Sequence, residues 1–281
     1  MREIHVNEIK RVVKNLCIKA NYRLSEDIIN ALKRAYNEEE SPQGRDILQQ
    51  ILKNIKIANE KKIPLCQDTG IAIFFVDLGQ EVKIKGGDLE VALNEGVKEG
   101  YREGYLRKSV VSDPLFDRRN TGDNTPCIVH VKICPGERIK IIFCPKGAGA
   151  ENMSRVRMLK PADGIEGVKN FVIKTVESAG PNSCPPLIVG VGIGGDLEVA
   201  PLLAKKALLR KIGQHNSHPR YAELEDELLL NINKLGIGPQ GLGGKITALA
   251  VHIEWLPCHI ASLPVAVNLQ CHVARHIEVE I

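Results

Sequence analysis

The sequence predicts a mixed α/β fold, in which a helical N-terminal segment precedes a two-lobed α/β body. The first sixty residues place apolar side chains at helical spacing, and from Ile71 the pattern changes to short apolar runs typical of buried strands. Helical and strand patterns then alternate without a regular strand–helix–strand repeat. We expect residues 1–281 to form one functional domain whose lobes divide near residue 150.

Three helices are predicted in the first sixty residues. The first has one apolar face, formed by Ile9, Val12, Val13 and Leu16. Ser25 is placed to cap the second helix, and Ser41 with Pro42 fits the N-cap and first turn of the third. We expect these helices to serve as scaffold.

The body begins with a strand from Ile71 to Leu78, followed by a helix that Asp88 caps and that extends to about Gly104. Strands from Ile128 to Ile133 and from Ile139 to Phe143 flank Pro135-Gly136, which predicts a hairpin. Further helices are predicted at Gly164 to Ser178, Asp196 to Lys211 and Tyr221 to Leu235. Further strands are predicted at Leu187 to Val191, Ile246 to Ile253, Val265 to Leu269 and Ile277 to Ile281.

Charge and composition narrow the class of protein. The formal net charge is +4, but basic and acidic residues are interleaved, so a nucleic-acid-binding surface is not expected. The chain has no run of about 18 apolar residues, and its first ten residues are charged, without the apolar core of a signal peptide. These features predict a globular, cytoplasmic protein that does not enter a membrane.

Eight cysteines are too few and too scattered for a disulfide scaffold, so we expect free thiols or metal ligands. Cys66, Cys184 and Cys271 stand beside turn-forming or polar residues, where a thiolate is more accessible to a metal than inside a helix. Their spacing lacks the close pairs of zinc fingers or ferredoxins, and an inert buried thiol is the more common role for any one of them. That role is expected for Cys17, Cys127, Cys134, Cys144 and Cys258.

Six motifs follow one another along the chain. They are Cys66-Gln67-Asp68-Thr69-Gly70, Tyr105-Leu106-Arg107, Lys146-Gly147-Ala148-Gly149, Ser183-Cys184-Pro185-Pro186, Gly241-Leu242-Gly243-Gly244-Lys245, and His259 followed by Cys271. In this order they resemble the alpha subunit, or N-terminal domain, of class I iron–sulfur fumarases and the related tartrate dehydratases. The resemblance covers nearly the whole chain, and several distant motifs in one order are far more specific than any one alone.

The resemblance implies that Cys66, Cys184 and Cys271 ligate a [4Fe-4S] cluster with one iron left without a protein ligand. Such an iron can bind a substrate carboxylate and hydroxyl and polarise the carbon–oxygen bond that breaks. The implied reaction is reversible hydration of fumarate to malate, or the same chemistry on a similar dicarboxylate. Two departures leave fumarate and tartrate both open as substrates: the segment Lys146 to Asn152 has alanine where some members have glycine, and Gly238 to Gly244 is closer to two-subunit forms.

Substrate-binding roles are implied for Gln67, Arg107 and Gly149. Arg107 can bind a carboxylate through two parallel hydrogen bonds, and an ordinary ion pair is its alternative role. Gln67 can donate its amide to the same ligand, or it is a solvated loop side chain. Gly149 can let backbone approach the substrate closely, or it only forms a turn.

Proton-transfer roles are implied for Asp68 and His259, because an imidazole oriented by a carboxylate exchanges a proton near neutral pH. A turn-capping aspartate and a structural histidine are the alternatives. The base that removes the carbon-bound proton is not evident in the sequence. The resemblance implies that it lies on a separate beta subunit, and therefore that the enzyme is a hetero-oligomer.

Gly190-Val191-Gly192-Ile193-Gly194-Gly195 supports a different hypothesis, a nicotinamide-dependent oxidoreductase. It matches a dinucleotide-binding pattern between a predicted strand and a predicted helix. Asp196 argues against it, because it places negative charge at the helix start where a pyrophosphate needs positive potential, and no strand ending in an acidic residue follows at the expected distance. A non-catalytic metal-binding or interaction protein is the third hypothesis.

Overall fold

The computed structural model describes residues 2–281, which form two compact units. The first unit contains the residues up to Ser25 together with Asn54–Ala148 and Arg275–Ile281. The second contains Glu26–Lys53 and Gly149–Ala274. The mixed α/β class predicted from the sequence is confirmed, because both units combine helices with a four-stranded sheet.

The first unit contains two helices and two sheets. Its helices are α1 (Val6–Tyr22) and α4 (Leu89–Glu103). Its strands are β1 (Arg2–His5), β2 (Ile71–Gly79), β3 (Val82–Lys85), β4 (Ile128–Cys134), β5 (Ile139–Lys146) and β10 (Ile277–Glu280). β1 and β3 form a parallel pair that the sequence analysis missed, and the larger sheet has the order β10-β5-β2-β4.

The predicted hairpin between β4 and β5 is wrong, because β2 lies between them, parallel to β4 and antiparallel to β5. Buried side chains occupy consecutive positions of β2 from Ala72 to Val76, as expected of a central strand with both faces covered. The turn with Pro135-Gly136 instead crosses the end of β2. Gly79 permits this crossing, since a Cβ there would lie 2.5 Å from the Gly136 carbonyl oxygen.

The helices of the first unit begin and pack as their sequences predict. The Asp88 carboxylate accepts a hydrogen bond from Val91 N at 3.0 Å and caps α4. On α1, Ile9 and Val13 are fully buried, and they belong to the core that α1 and α4 form with β2 and β5. The apolar spacing of α1 therefore identified its buried face correctly.

The second unit has a sheet of order β6-β9-β7-β8 with helices packed against it. Its strands are β6 (Arg155–Leu159), β7 (Leu187–Gly195), β8 (Ala248–Cys258) and β9 (Leu263–Gln270). Its helices are α2 (Glu26–Glu38), α6 (Gly164–Ala179), α7 (Val199–Ala207) and α8 (Pro219–Asn233). Two further helices contain a boundary between the units, α3 (Pro42–Lys61) and α5 (Ala148–Asn152). Ser41 Oγ accepts Gly44 N at 3.2 Å and caps α3 as predicted.

The glycine pattern from Gly190 to Gly195 lies inside strand β7, so it lacks the strand–turn–helix geometry of a dinucleotide-binding loop. Its glycines let α7 approach the sheet. A Cβ on Gly190 would lie 2.1 Å from Ala204 O, and one on Gly192 would lie 2.0 Å from Ala200 O. Helix packing accounts for these glycines, and the nicotinamide hypothesis loses the observation that motivated it.

None of the eight cysteines forms a disulfide. Cys17, Cys127 and Cys144 are buried as predicted, and burial raises the pKa of Cys17 well above its ordinary value and that of Cys127 to about 12. The prediction of burial is wrong for Cys258, which is exposed at the end of β8, and only partly right for Cys134. None of the described helices is both long and apolar enough to cross a bilayer.

Candidate active site

The loop from Cys66 to Gly70 joins the end of α3 to β2 in the first unit, and its start is fixed from two sides. Leu65 N donates to Asn21 O at 2.9 Å, and Asn54 Nδ2 donates to Leu65 O at 2.9 Å. Cys66 itself is only half-buried, whereas Leu65 before it is in the interior. The backbone therefore presents the Cys66 thiol from a rigid support.

The Asp68 carboxylate accepts two backbone hydrogen bonds, from Gly70 N at 3.0 Å and from Ala148 N at 2.9 Å. These contacts fix the orientation of the side chain. Gly70 has φ +74°, and a Cβ there would lie 2.7 Å from the Lys146 backbone. Only glycine allows the loop to lie this close to the end of β5, which gives the first and third sequence motifs a shared physical reason.

Thr69 connects this loop to Arg107, because its Oγ1 donates to Arg107 O at 2.8 Å. The buried Tyr101 hydroxyl supports the same segment, lying 2.8 Å from Thr69 O and 3.1 Å from Gly70 O. The Arg107 side chain is exposed and has no ion pair among residues 2–281, and the Gln67 side chain is exposed as well. Two predicted substrate-binding residues thus lie on two segments of the first unit that a hydrogen bond joins.

Arg275 also holds this loop, and the sequence analysis did not identify it. Its guanidinium is buried and donates to Asp68 O at 2.8 Å and to Asn21 Oδ1 at 2.9 Å. No motif spacing marks an arginine that binds a backbone carbonyl. Its position four residues after Cys271 was the only available signal.

In the second unit, Cys184 and Cys271 lie in two loops that hydrogen bonds join. Cys184 has φ +55°, a left-handed conformation after the short 3₁₀ helix Gly180–Ser183. The Cys184 carbonyl oxygen accepts a hydrogen bond from His272 N at 3.4 Å, and His272 Nδ1 lies 3.1 Å from the same oxygen. Gln240 Nε2 donates to Pro185 O at 2.8 Å and lies 3.1 Å from His272 Nδ1. The structure therefore brings the segments of two predicted ligands together.

Glu39 fixes the glycine-rich motif from Gly241 to Lys245. It is 2% exposed, and its carboxylate accepts the backbone N–H groups of Glu40, Ser41, Lys245 and Ile246 at 2.8–2.9 Å. Burial alone would raise the pKa of Glu39, but these four donors outweigh it and lower the pKa below its ordinary value. At Gly244, a Cβ would lie 2.8 Å from Glu39 Oε1, so the glycine makes room for the carboxylate.

The remaining predicted site residues lie in the second unit. His259 is exposed in the turn between β8 and β9. Its Nδ1 accepts a hydrogen bond from Ala261 N at 3.1 Å. The other ring nitrogen therefore carries the proton when the ring is neutral. Gly149 is exposed, and a Cβ there would make only ordinary contact, 3.4 Å from Asn182 O. Asp68 belongs to the first unit, so its pairing with His259 stays a prediction.

The donor set suits an iron–sulfur cluster in kind, since Cys66, Cys184 and Cys271 are partly exposed cysteines in loops and form no disulfide. Two of the three lie on hydrogen-bonded neighbouring segments. Residues 2–281 contain no group of three His, Cys, Asp or Glu side chains arranged to hold a metal ion. Cys66, Cys184 and Cys271 are therefore a proposed ligand set.

The chain belongs to the fumarate hydratase (fumerase) family, whose model matches residues 10–280. It is similar to a Methanocaldococcus jannaschii protein with the provisional name L(+)-tartrate dehydratase subunit alpha, at 47% identity over 272 residues that cover 95% of each chain. It is also 35% identical to the L(+)-tartrate dehydratase subunit alpha of Escherichia coli K12 over 274 residues, 96% of this chain and 89% of that one. The resemblance derived from the six motifs is confirmed.

Proposed function

We propose that this chain is the cluster-bearing alpha subunit of a two-subunit hydro-lyase that adds water to, or removes it from, a small dicarboxylate. The family match over residues 10–280 carries the proposal. The substrate is fumarate, tartrate or a similar acid, and the names of the relatives favour tartrate. The enzyme works in the cytoplasm and forms a hetero-oligomer with its beta subunit.

Cys66, Cys184 and Cys271 are the proposed ligands of a [4Fe-4S] cluster. Three thiolates leave one iron open, and the chemistry that this iron supplies is Lewis-acid polarisation of the substrate hydroxyl and carboxylate. The accessibility of the thiols and the link between the Cys184 and Cys271 segments support this assignment.

Arg107 and Gln67 are proposed to bind a substrate carboxylate. Arg107 suits this role because its guanidinium is exposed and unpaired within residues 2–281, while its backbone is anchored by Thr69. A planar guanidinium on an anchored backbone can form two parallel hydrogen bonds to a carboxylate, which makes it selective for that group. Gly149 is proposed to leave space beside the substrate, and its exposed, uncrowded position is compatible with that role.

Asp68 and His259 are proposed to handle protons. The two N–H donors on Asp68 hold its carboxylate in one orientation, and His259 presents a ring N–H when its imidazole is neutral. Neither residue is assigned the removal of the carbon-bound proton, which we assign to the beta subunit. A complete site therefore needs both chains, because catalysis depends on holding the reacting groups in one geometry.

The cofactor is tested by anaerobic purification with iron and sulfide analysis. We expect an iron–sulfur absorption band in the wild-type chain, and loss of bound iron in the separate variants Cys66→Ser, Cys184→Ser and Cys271→Ser. Cys134→Ser is the matched control and should keep its iron. Normal iron content in all three ligand variants would refute the assignment. Air should inactivate the assembled enzyme, and anaerobic iron with reductant should restore it.

The partner and substrate are tested with the reconstituted chain. Hydration of fumarate and dehydration of tartrate are assayed before and after the beta subunit is added. We expect little turnover from the chain alone and a large increase with the partner, with the faster substrate identifying the acid. Substantial turnover without a partner would contradict the two-subunit proposal.

A further inference from the structure

Arg275 carries a positive charge in the interior of the first unit, where its hydrogen-bond partners are neutral. Only 3% of the residue is exposed. Nη1 and Nη2 donate to two neutral oxygens, Asn21 Oδ1 and Asp68 O, while Nε has no hydrogen-bond partner. No Asp or Glu within residues 2–281 forms an ion pair with it. A guanidinium does not lose its proton in a protein, so this charge is permanent.

A buried charge of this kind is unfavourable in the protein alone. Burial of an ion is costly unless an opposite charge compensates, and neutral acceptors compensate only in part. Arg210 in the second unit shows the compensated case, because carboxylate oxygens of Glu225 and Glu254 lie 2.7 and 3.0 Å from its guanidinium. Arg275 has no such ion pair, and the carboxylate of Asp68, whose backbone oxygen it binds, is held instead by two backbone N–H groups.

The Arg275 guanidinium is connected to both sides of Cys66. Nη2 binds the carbonyl of Asp68, two residues after Cys66. Nη1 binds Asn21, whose backbone carbonyl accepts the N–H of Leu65, the residue before Cys66. An anion held at this loop would be attracted by the charge through protein interior, where screening is weak.

We propose that Arg275 is a positioning residue that supplies the buried counter-charge for an anionic metal centre on the Cys66 loop. The identity of that anion rests on the function proposed above: three thiolates and a bound dicarboxylate bring more negative charge than the iron–sulfur core offsets. Arg275 acts through the Asp68 backbone and through its charge. The same charge that is unfavourable in the metal-free chain stabilises the loaded one.

Two variants separate the charge from the hydrogen bonds. Arg275→Lys keeps the charge but loses the planar fork, whereas Arg275→Gln keeps an amide donor but loses the charge. Arg23→Gln, at an exposed arginine without an ion pair among the described residues, is the matched control. The full chain is reconstituted with iron and sulfide in the presence of its partner. The rate of cluster loss to an iron chelator is then followed by absorbance, and the melting temperature of each metal-free chain is measured separately.

We expect Arg275→Gln to lose its cluster about tenfold faster than wild type, and Arg275→Lys to stay within about threefold of wild type. The metal-free Arg275→Gln chain should melt within about 2 °C of wild type or above it, because an uncompensated charge has been removed. Cluster loss from Arg275→Gln at the wild-type rate would overturn the proposal, as would an Arg275→Lys variant as labile as Arg275→Gln. Failure of the metal-free Arg275→Gln chain to fold would overturn it too, since the arginine would then be needed for the fold itself.

These outcomes are distinct from failure of the proposed function. A wild-type chain without iron after anaerobic reconstitution would refute the cluster, whatever the Arg275 variants do. A wild-type chain with iron and an unchanged Arg275→Gln variant would refute only the counter-charge. If iron is absent, the melting temperatures of the metal-free chains still decide whether the buried charge is unfavourable.

Discussion

Replacing Glu39 with Gln tests whether one buried carboxylate holds the glycine-rich motif in place. The substitution keeps size and shape but removes the charge. In the wild type, Oε1 accepts three backbone N–H groups and Oε2 accepts Ile246 N at 2.8 Å. An amide with its oxygen at the Oε1 position turns an NH₂ group towards Ile246 N, which leaves that buried donor without an acceptor.

The size of the effect follows from these contacts. An unsatisfied buried donor and three hydrogen bonds weakened by loss of the charge together destabilise the fold by about 2–4 kcal/mol, after allowance for the easier burial of a neutral group. The lowered pKa of Glu39 determines how its contribution to the free energy of unfolding changes with pH. Its contribution is fully present above the ordinary value of 4.5 and is lost as pH falls through the lower pKa of the folded state.

Urea unfolding of wild type and Glu39→Gln at several pH values measures both the destabilisation and its dependence on pH. We expect the difference in unfolding free energy to be constant near neutral pH and to shrink on acidification below the ordinary range of a glutamate. Glu38→Gln, at the exposed neighbouring position, should change the unfolding free energy little. A difference under about 0.5 kcal/mol at neutral pH, or one that grows as the pH falls, would refute the reasoning.

Three further predictions test other parts of the molecule. Gly192→Ala should destabilise the chain by about 3 kcal/mol or more in urea unfolding, because the added Cβ would lie 2.0 Å from Ala200 O; an unchanged midpoint would contradict the packing. Burial lowers the pKa of His252 to about 4, so the folded chain should lose about 2 kcal/mol between about pH 7 and pH 5, and His252→Asn should remove this loss. Arg107→Lys should raise the KM for the dicarboxylate about tenfold with normal iron content, and an unchanged KM would remove Arg107 from the binding site.

Local sequence signals predicted the helices well, because their causes are local. The Asp88 cap and the apolar spacing of α1 depend on contacts a few residues apart or on one helical face. Strand pairing failed where its cause is non-local. The turn at Pro135-Gly136 has hairpin composition, but β2, from a distant part of the chain, pairs with both flanking strands. No rule based on the turn alone could identify β2 as the intervening strand.

The same difference between local and non-local causes applies to the candidate site. The cysteines and Arg107 were proposed because motif order indicated the family, and the family model matches residues 10–280. Arg275 and Glu39 were missed, because each binds backbone groups far away in sequence, and such contacts leave no spacing pattern. The glycines of β7 fit a known pattern for a different reason, since the approach of a helix and the approach of a phosphate both require a missing side chain.

The position of Arg275 in the sequence has a consequence for biosynthesis. The first unit uses residues from both ends of the described chain, and β10, just after Arg275, pairs with β5. A ribosome produces the Cys66 loop early, more than two hundred residues before the arginine that supports it. At translation rates of about 5–20 residues per second, the nascent loop lacks this support for about 10 s or longer. Insertion of the proposed cluster is therefore expected to follow translation of residue 275, after which the Asp68 carbonyl has its arginine partner.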